Sequence, residues 1–188
     1  MKKAKWFVMA VAAFGLFLIT GCGSSSGGHN QPIPPDYTVF QGPILYPGAP
    51  YLNPAGNLSA DVLALGFLAG EETVAIQMIE LTTHSSADWN PILEVFLYDG
   101  PVLLGWGYFL KEQNARSAIG FYRPMVIPAG TVKMVQVKAR FRQLVFFDNK
   151  LETVSVDYVG SAGFNMDTGE YIQDETLING PIITLMKD

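Results

Sequence analysis

Val135-Gln136-Val137-Lys138-Ala139-Arg140-Phe141-Arg142 alternates apolar and polar side chains without a break. Side chains of a strand point to opposite faces in turn, so this stretch predicts a strand with one buried and one wet face. Val137 then points inward and Lys138 outward. Val154-Ser155-Val156-Asp157-Tyr158 repeats the pattern. Between such runs stand turn signals. Asp99-Gly100 favours a hairpin, and Pro128 with Gly130 removes a ladder donor and permits a positive φ. Working outward, strands are expected near 60–68, 73–83, 92–98, 102–110, 117–123, 132–142, 152–159 and 180–186, with an edge strand or extended lead-in over 37–54. No helical period of comparable length follows residue 21. The expected fold class is all-β, an antiparallel sandwich.

The composition of the 188-residue chain agrees with that reading and narrows the function classes. With 49% hydrophobic and only 15% charged residues it is too apolar for a disordered protein. Its 19 Gly and 12 Pro supply many turns. One cysteine forbids an internal disulfide framework or a zinc site of paired thiolates, and two histidines argue against a multi-His centre. No metal or cofactor is expected. A formal charge of −5 argues against nucleic acid, whose phosphates are bound by Lys and Arg releasing counterions.

The N-terminus reads as an address. Lys2, Lys3 and Lys5 form a positive region, and Trp6 to Ile19 is an almost unbroken apolar run, short for a membrane span. It ends in Leu18-Ile19-Thr20-Gly21-Cys22, which resembles the lipobox of bacterial lipoproteins. That resemblance implies cleavage between Gly21 and Cys22, a diacylglycerol thioether on Cys22, and an acyl chain such as palmitate on the new amine. Each buried acyl CH₂ contributes about 0.8 kcal/mol, so two or more chains make a durable anchor. Gly23 follows the cysteine where Asp would mean inner-membrane retention, so in a Gram-negative cell the outer membrane is expected. Residues 23–35, Gly-Ser-Ser-Ser-Gly-Gly-His-Asn-Gln-Pro-Ile-Pro-Pro, pass from flexible to Pro-stiffened linker. The expected organisation is a signal peptide over 1–21, lipidated Cys22 with its linker over 22–36, and a β-sandwich domain over 37–188.

Several segments taken in order resemble the immunoglobulin-like β-sandwich modules of secreted and S-layer-type bacterial surface proteins. They are Leu68-Ala69-Gly70-Glu71-Glu72-Thr73-Val74, Val95 to Gly100 with Val102-Leu103-Leu104-Gly105, Val126 to Thr131 running into Val135 to Ala139, Glu152 to Val159, and Asn179 to Leu185. The resemblance spans about 57–186 and implies a spacer, scaffold or adhesive role. A single copy without internal repeats fits a small surface module better than a filament.

Candidate chemistry is thin. Gly160-Ser161-Ala162-Gly163 superficially resembles a hydrolase elbow but lacks the residue required between the first glycine and the serine. Asp157, Asp167, Glu170, Asp174 and Glu175 gather in an acidic stretch whose 165–175 loop matches no calcium motif, and a solvated loop is the preferred reading. Lys133, Lys138, Arg140 and Arg142 give a basic strand face, read as a solvated outer face that discourages edge pairing. Aromatics are abundant and mostly assigned to the core. Trp106 and Tyr108 share one face of their strand and Phe109 takes the other, while Trp89 and the pair Phe146-Phe147, beside turns, are the expected surface-binding candidates. The expected function is a non-enzymatic, lipid-anchored cell-envelope structural or interaction module that meets another envelope protein or a polysaccharide. The alternative is a carbohydrate-binding accessory domain, and an envelope hydrolase ranks third.

Overall fold

The computed structural model describes residues 37–43, 51–52, 59–142 and 152–185. The signal peptide, Cys22 and the linker lie outside these residues. Among the described residues the strands are β1 (Tyr37–Gln41), β2 (Tyr51–Leu52), β3 (Ser59–Ala69), β4 (Val74–Ser85), β5 (Ile92–Asp99), β6 (Val102–Tyr108), β7 (Arg116–Ile127), β8 (Val132–Phe141), β9 (Glu152–Asn165), β10 (Tyr171–Asp174) and β11 (Ile183–Leu185). They form two sheets. Sheet A has the order β1-β3-β8-β5-β6, and sheet B the order β2-β11-β9-β4-β7 with β10 also on β9. Neighbours are antiparallel apart from β2 and β11.

The alternation that predicts β8 is what faces the sheets together. Val135, Val137 and Ala139 are fully buried and lie in one core with Leu63, Leu65, Phe67, Val95 and Leu97 of sheet A. Ile76, Ile79, Leu81, Ile119, Val154, Val156 and Tyr158 of sheet B complete that core. Each such aliphatic side chain contributes about 1.5–3 kcal/mol by leaving water. The all-β, sandwich-like architecture read from the period-2 runs is therefore the observed one. Gly100 (φ 56°) and Gly130 (φ 66°) occupy the two turns marked in the sequence.

Differences from the expected strands have local causes. The strand expected over 152–159 runs on to Asn165, because Gly160 and Gly163 serve close packing rather than a turn. A Cβ on Gly163 would stand 2.1 Å from the Ala75 carbonyl oxygen, and one on Gly160 would stand 2.8 Å from that of Asp174. The strand expected to stop at 123 continues through Pro124 to Ile127. Met78 pairs with Gly120 and Ile76 with Met125, so Phe121 to Pro124 bulge opposite Gln77 alone. An exposed edge strand interrupted by such a bulge, an arginine and a proline is a poor template for another strand. β8 is an inner strand between β3 and β5, so its basic residues guard no edge. β10 was not expected at all.

β9 ties the C-terminal segment down. One side of it pairs with β4 from Val154 to Asn165. The other side meets β11 at residues 152–154, Ile178 at Tyr158, and β10 at residues 161–164.

Candidate functional site

Paired residues of neighbouring strands share a face, so the register of sheet A shows what stands opposite its core. Across the sheet, one outer row runs Tyr108, Glu94, Arg140 and the next Trp106, Phe96, Lys138, Asp61. Tyr98 and Gln136 follow in a third. Trp106 and Tyr108 are 39% and 56% exposed, so both rings lie open to solvent. Their presentation follows from Gly105-Trp106-Gly107-Tyr108. The two glycines face inward and let β6 lie directly on β7. A Cβ on Gly105 would stand 2.5 Å from the Gly120 carbonyl oxygen, and one on Gly107 2.8 Å from Ile119. With nothing but glycine inside, both aromatics stand outside. Their rings are 4.8 Å apart at 80°, an edge-to-face pair that fixes both orientations.

The charges beside these rings are paired. Arg140 Nη2 lies 2.5 Å from Glu94 Oε2, and Lys138 Nζ 3.6 Å from Asp61 Oδ1. The Lys138 ammonium also sits 5.5 Å over the Tyr98 ring. At the end of the sheet Lys133 Nζ meets Asp99 Oδ2 at 2.7 Å. Arg142 donates to the carbonyls of Asn90 and Phe109. Lys138 and Arg140 of the expected basic face thus stand on an outer face, but a neutralised one, whereas Lys133 pairs with buried Phe67 and takes the core-side parity at the sheet's end. Toward the opposite end the same outer face is apolar, with Phe40 lying across Gly66 and with Leu68 and Val132 exposed.

Trp89 is half-buried and packs against the core, while Phe146 and Phe147 lie outside the described residues. The structure thus puts exposed rings at Trp106 and Tyr108. The glycine alternation around them was the available signal, since an aromatic between two glycines on a strand points away from the glycine side.

On sheet B, Ser161 of the elbow-like stretch is buried inside. Tyr37 and Ser161 hydroxyls are 2.8 Å apart, those of Ser161 and Tyr158 2.6 Å, and Tyr158 donates to Asp174 Oδ2 at 2.6 Å. A carboxylate only accepts, so the chain has one direction: Tyr37 to Ser161 to Tyr158 to Asp174. The remaining Asp174 oxygen accepts from the Thr176 hydroxyl at 2.7 Å. His84 is on the other face of this sheet, opposite Ser155, with Nε2 3.2 Å from Asp157 Oδ2. His84 therefore cannot reach Ser161. Asp157 Oδ1 accepts from the Gly180 amide at 2.9 Å, which fastens the C-terminal segment alongside β9.

Burial pushes the Tyr37 hydroxyl up to about 12 from 10.0. It raises Tyr158 as well, helped by the hydrogen bond to Asp174. A tyrosine whose folded pKa lies above its unfolded one adds nothing to acid sensitivity, and its stabilisation is lost as pH climbs past 10 toward 12. Tyrosinate absorbance and circular dichroism recorded together should show Tyr37 and Tyr158 ionising only as the fold opens in that window. Complete tyrosine ionisation with the β spectrum intact would contradict the buried chain.

In the acidic loop, Asp167 Oδ2 accepts from the Thr73 amide at 3.0 Å, and Asn165 Oδ1 accepts from the amides of Asp167 and Thr168. Among the described residues no group of three or more His, Cys, Asp or Glu side chains is placed to hold a metal ion. Comparison with known proteins finds no family model, no curated protein and no solved structure that matches the chain.

Proposed function

We propose that this protein is a lipid-anchored, non-enzymatic binding module of the cell envelope whose outer sheet-A face binds a saccharide. The observation that carries this reading is the exposed, edge-to-face Trp106–Tyr108 pair on the outer sheet-A face beside paired charged groups. A sugar ring offers an apolar C–H face to an aromatic ring and a rim of hydroxyls to charged neighbours, and this face offers both. Trp106→Ala in the full-length protein should lower saccharide affinity at least tenfold, as loss of a central aromatic anchor does. Its thermal midpoint should fall by a few degrees at most. Retention on envelope polysaccharide that is equal for the two proteins would remove the reading.

The anchor rests on Lys2 to Cys22. Metabolic labelling with a palmitate analogue should mark the wild type. Cys22→Ala should lose the label and leave the membrane fraction, and equal labelling of both would refute lipidation. Localisation at the outer membrane in a Gram-negative host belongs to the same proposal.

The immunoglobulin-like assignment is supported by pairing. Lettering β3 to β9 as A to G, β4 with β7 and β5 with β8 reproduce the B–E and C–F pairs. Here β3 joins β8, β9 joins β4 and β6 joins β5 instead of β7, so the first, fourth and last of these strands lie in the other sheet. A second reading, docking of another envelope protein, is favoured by the outer face of sheet B. There Val126, Ala75, Phe164 and Tyr171 form one apolar row, with Val126, Phe164 and Tyr171 exposed.

A further inference from the structure

The charge bookkeeping of the outer sheet-A face selects among saccharides. Beside the aromatic pair stand two cations and two anions, and each cation already has its anion. Glu94 and Asp61 are the inner members, with side chains only 8% and 11% exposed, while Arg140 and Lys138 are 41% and 38% exposed above them. A cation that left its carboxylate for an anionic ligand would strand a nearly buried charge, and removing one partner of a buried pair is strongly destabilising. Lys133, at the end of the sheet, is paired with Asp99, a carboxylate that is itself 33% exposed. At longer range the acidic protein, at −5, repels a polyanion. A cationic ligand fares no better, because the carboxylates that would attract it lie beneath the guanidinium and the ammonium.

A hydroxyl asks for none of this. Arg140 carries five N–H donors; Nη2 meets Glu94 and Nε is buried, while the side chain as a whole is 41% exposed. Lys138 has three N–H donors in different directions, shared with Asp61 and the Tyr98 ring. Gln136 adds an uncharged donor and acceptor in the neighbouring row. Neutral oxygens can accept from these cations while both ion pairs stay closed. Resting on the reading of this face as a saccharide site, we infer that its ligand is an uncharged polysaccharide, stacked on Trp106 and Tyr108 and hydrogen-bonded by Arg140 and Lys138 with their ion pairs intact.

The test is native affinity electrophoresis of the full-length protein in detergent. The probes are neutral dextran, mannan, galactan and a soluble β-glucan, set against polygalacturonate, alginate and hyaluronate. Trp106→Ala is run in every gel. The expected result is retardation by at least one neutral polymer, abolished by Trp106→Ala and unchanged when salt rises from about 0.05 to 0.5 M, since a neutral ligand has no charge to screen. Trp106-dependent retardation by the acidic polymers alone, fading as salt rises, would overturn the uncharged ligand and keep the saccharide site. Absence of Trp106-dependent retardation by any polymer in either set would overturn the saccharide site and this inference with it.

Discussion

Val137→Asp is expected to abolish the cooperative urea transition of the folded protein, or to move its midpoint close to zero denaturant. Val137 is fully buried in the middle of β8, paired with Leu63 on one side and Leu97 on the other. A carboxylate there has neither water nor a cation, and its desolvation costs several kcal/mol of a total stability of about 5–15 kcal/mol. Its neighbour is the control for register, because a slip by one residue would turn every side chain of the strand over. From sequence alone, Lys138→Asp should be nearly silent, as surface changes are. The structure makes it a costlier change, because the new carboxylate would face Asp61, whose side chain is 11% exposed. About 1–3 kcal/mol is expected, less than a fully buried pair would lose. If Lys138→Asp proves more damaging than Val137→Asp, the strand carries the opposite face inward.

Asp174→Ala should lower stability by about 1–3 kcal/mol, because it leaves the buried Tyr158 hydroxyl without its acceptor, while Thr176, which also donates to Asp174, is exposed and can turn to water. The measurement that isolates the cause is a double-mutant cycle with Tyr158→Phe. Removing the stranded hydroxyl should recover part of the loss, so the double variant is more stable than the sum of the single changes predicts. Strict additivity would show that the two groups do not share one hydrogen-bonded chain.

The strands were legible wherever one face is apolar and the other polar, as in β8 and in Val154 to Tyr158. Tyr171-Ile172-Gln173-Asp174 alternates equally well in space, with Ile172 and Asp174 buried. Its inward positions include a carboxylate, whose acceptor role depends on Tyr158, so hydrophobicity alone hides the strand. The expected strand stops at 159, and Gly160-Ser161-Ala162-Gly163 joins it only once the backbones of Ala75 and Asp174 are seen to press against its glycines. The candidate site shows the same division. Trp106 and Tyr108 share a face by simple parity, and the glycines flanking Trp106 carry the information that this face is the outer one. The pairing of Arg140 with Glu94 and of Lys138 with Asp61 joins residues far apart in sequence, and only the order β3-β8-β5 brings them together.

Sheet A also has a mechanical axis. β1 lies at one edge and β6, with Trp106 and Tyr108, at the other. Tension applied through the residues before Tyr37 and resisted by a ligand on β6 runs across the strands, along the ladder hydrogen bonds. A ladder loaded that way opens one rung at a time, starting from the first pair, Tyr37 with Ala69. Tyr37 is the residue whose hydroxyl reaches Ser161 and, through Tyr158, Asp174 on the other sheet. The first rung is therefore bolted to the opposite layer of the sandwich, and under load between the proposed anchor and the proposed ligand the limiting event would be rupture of that bolt rather than the peeling of a five-residue edge strand.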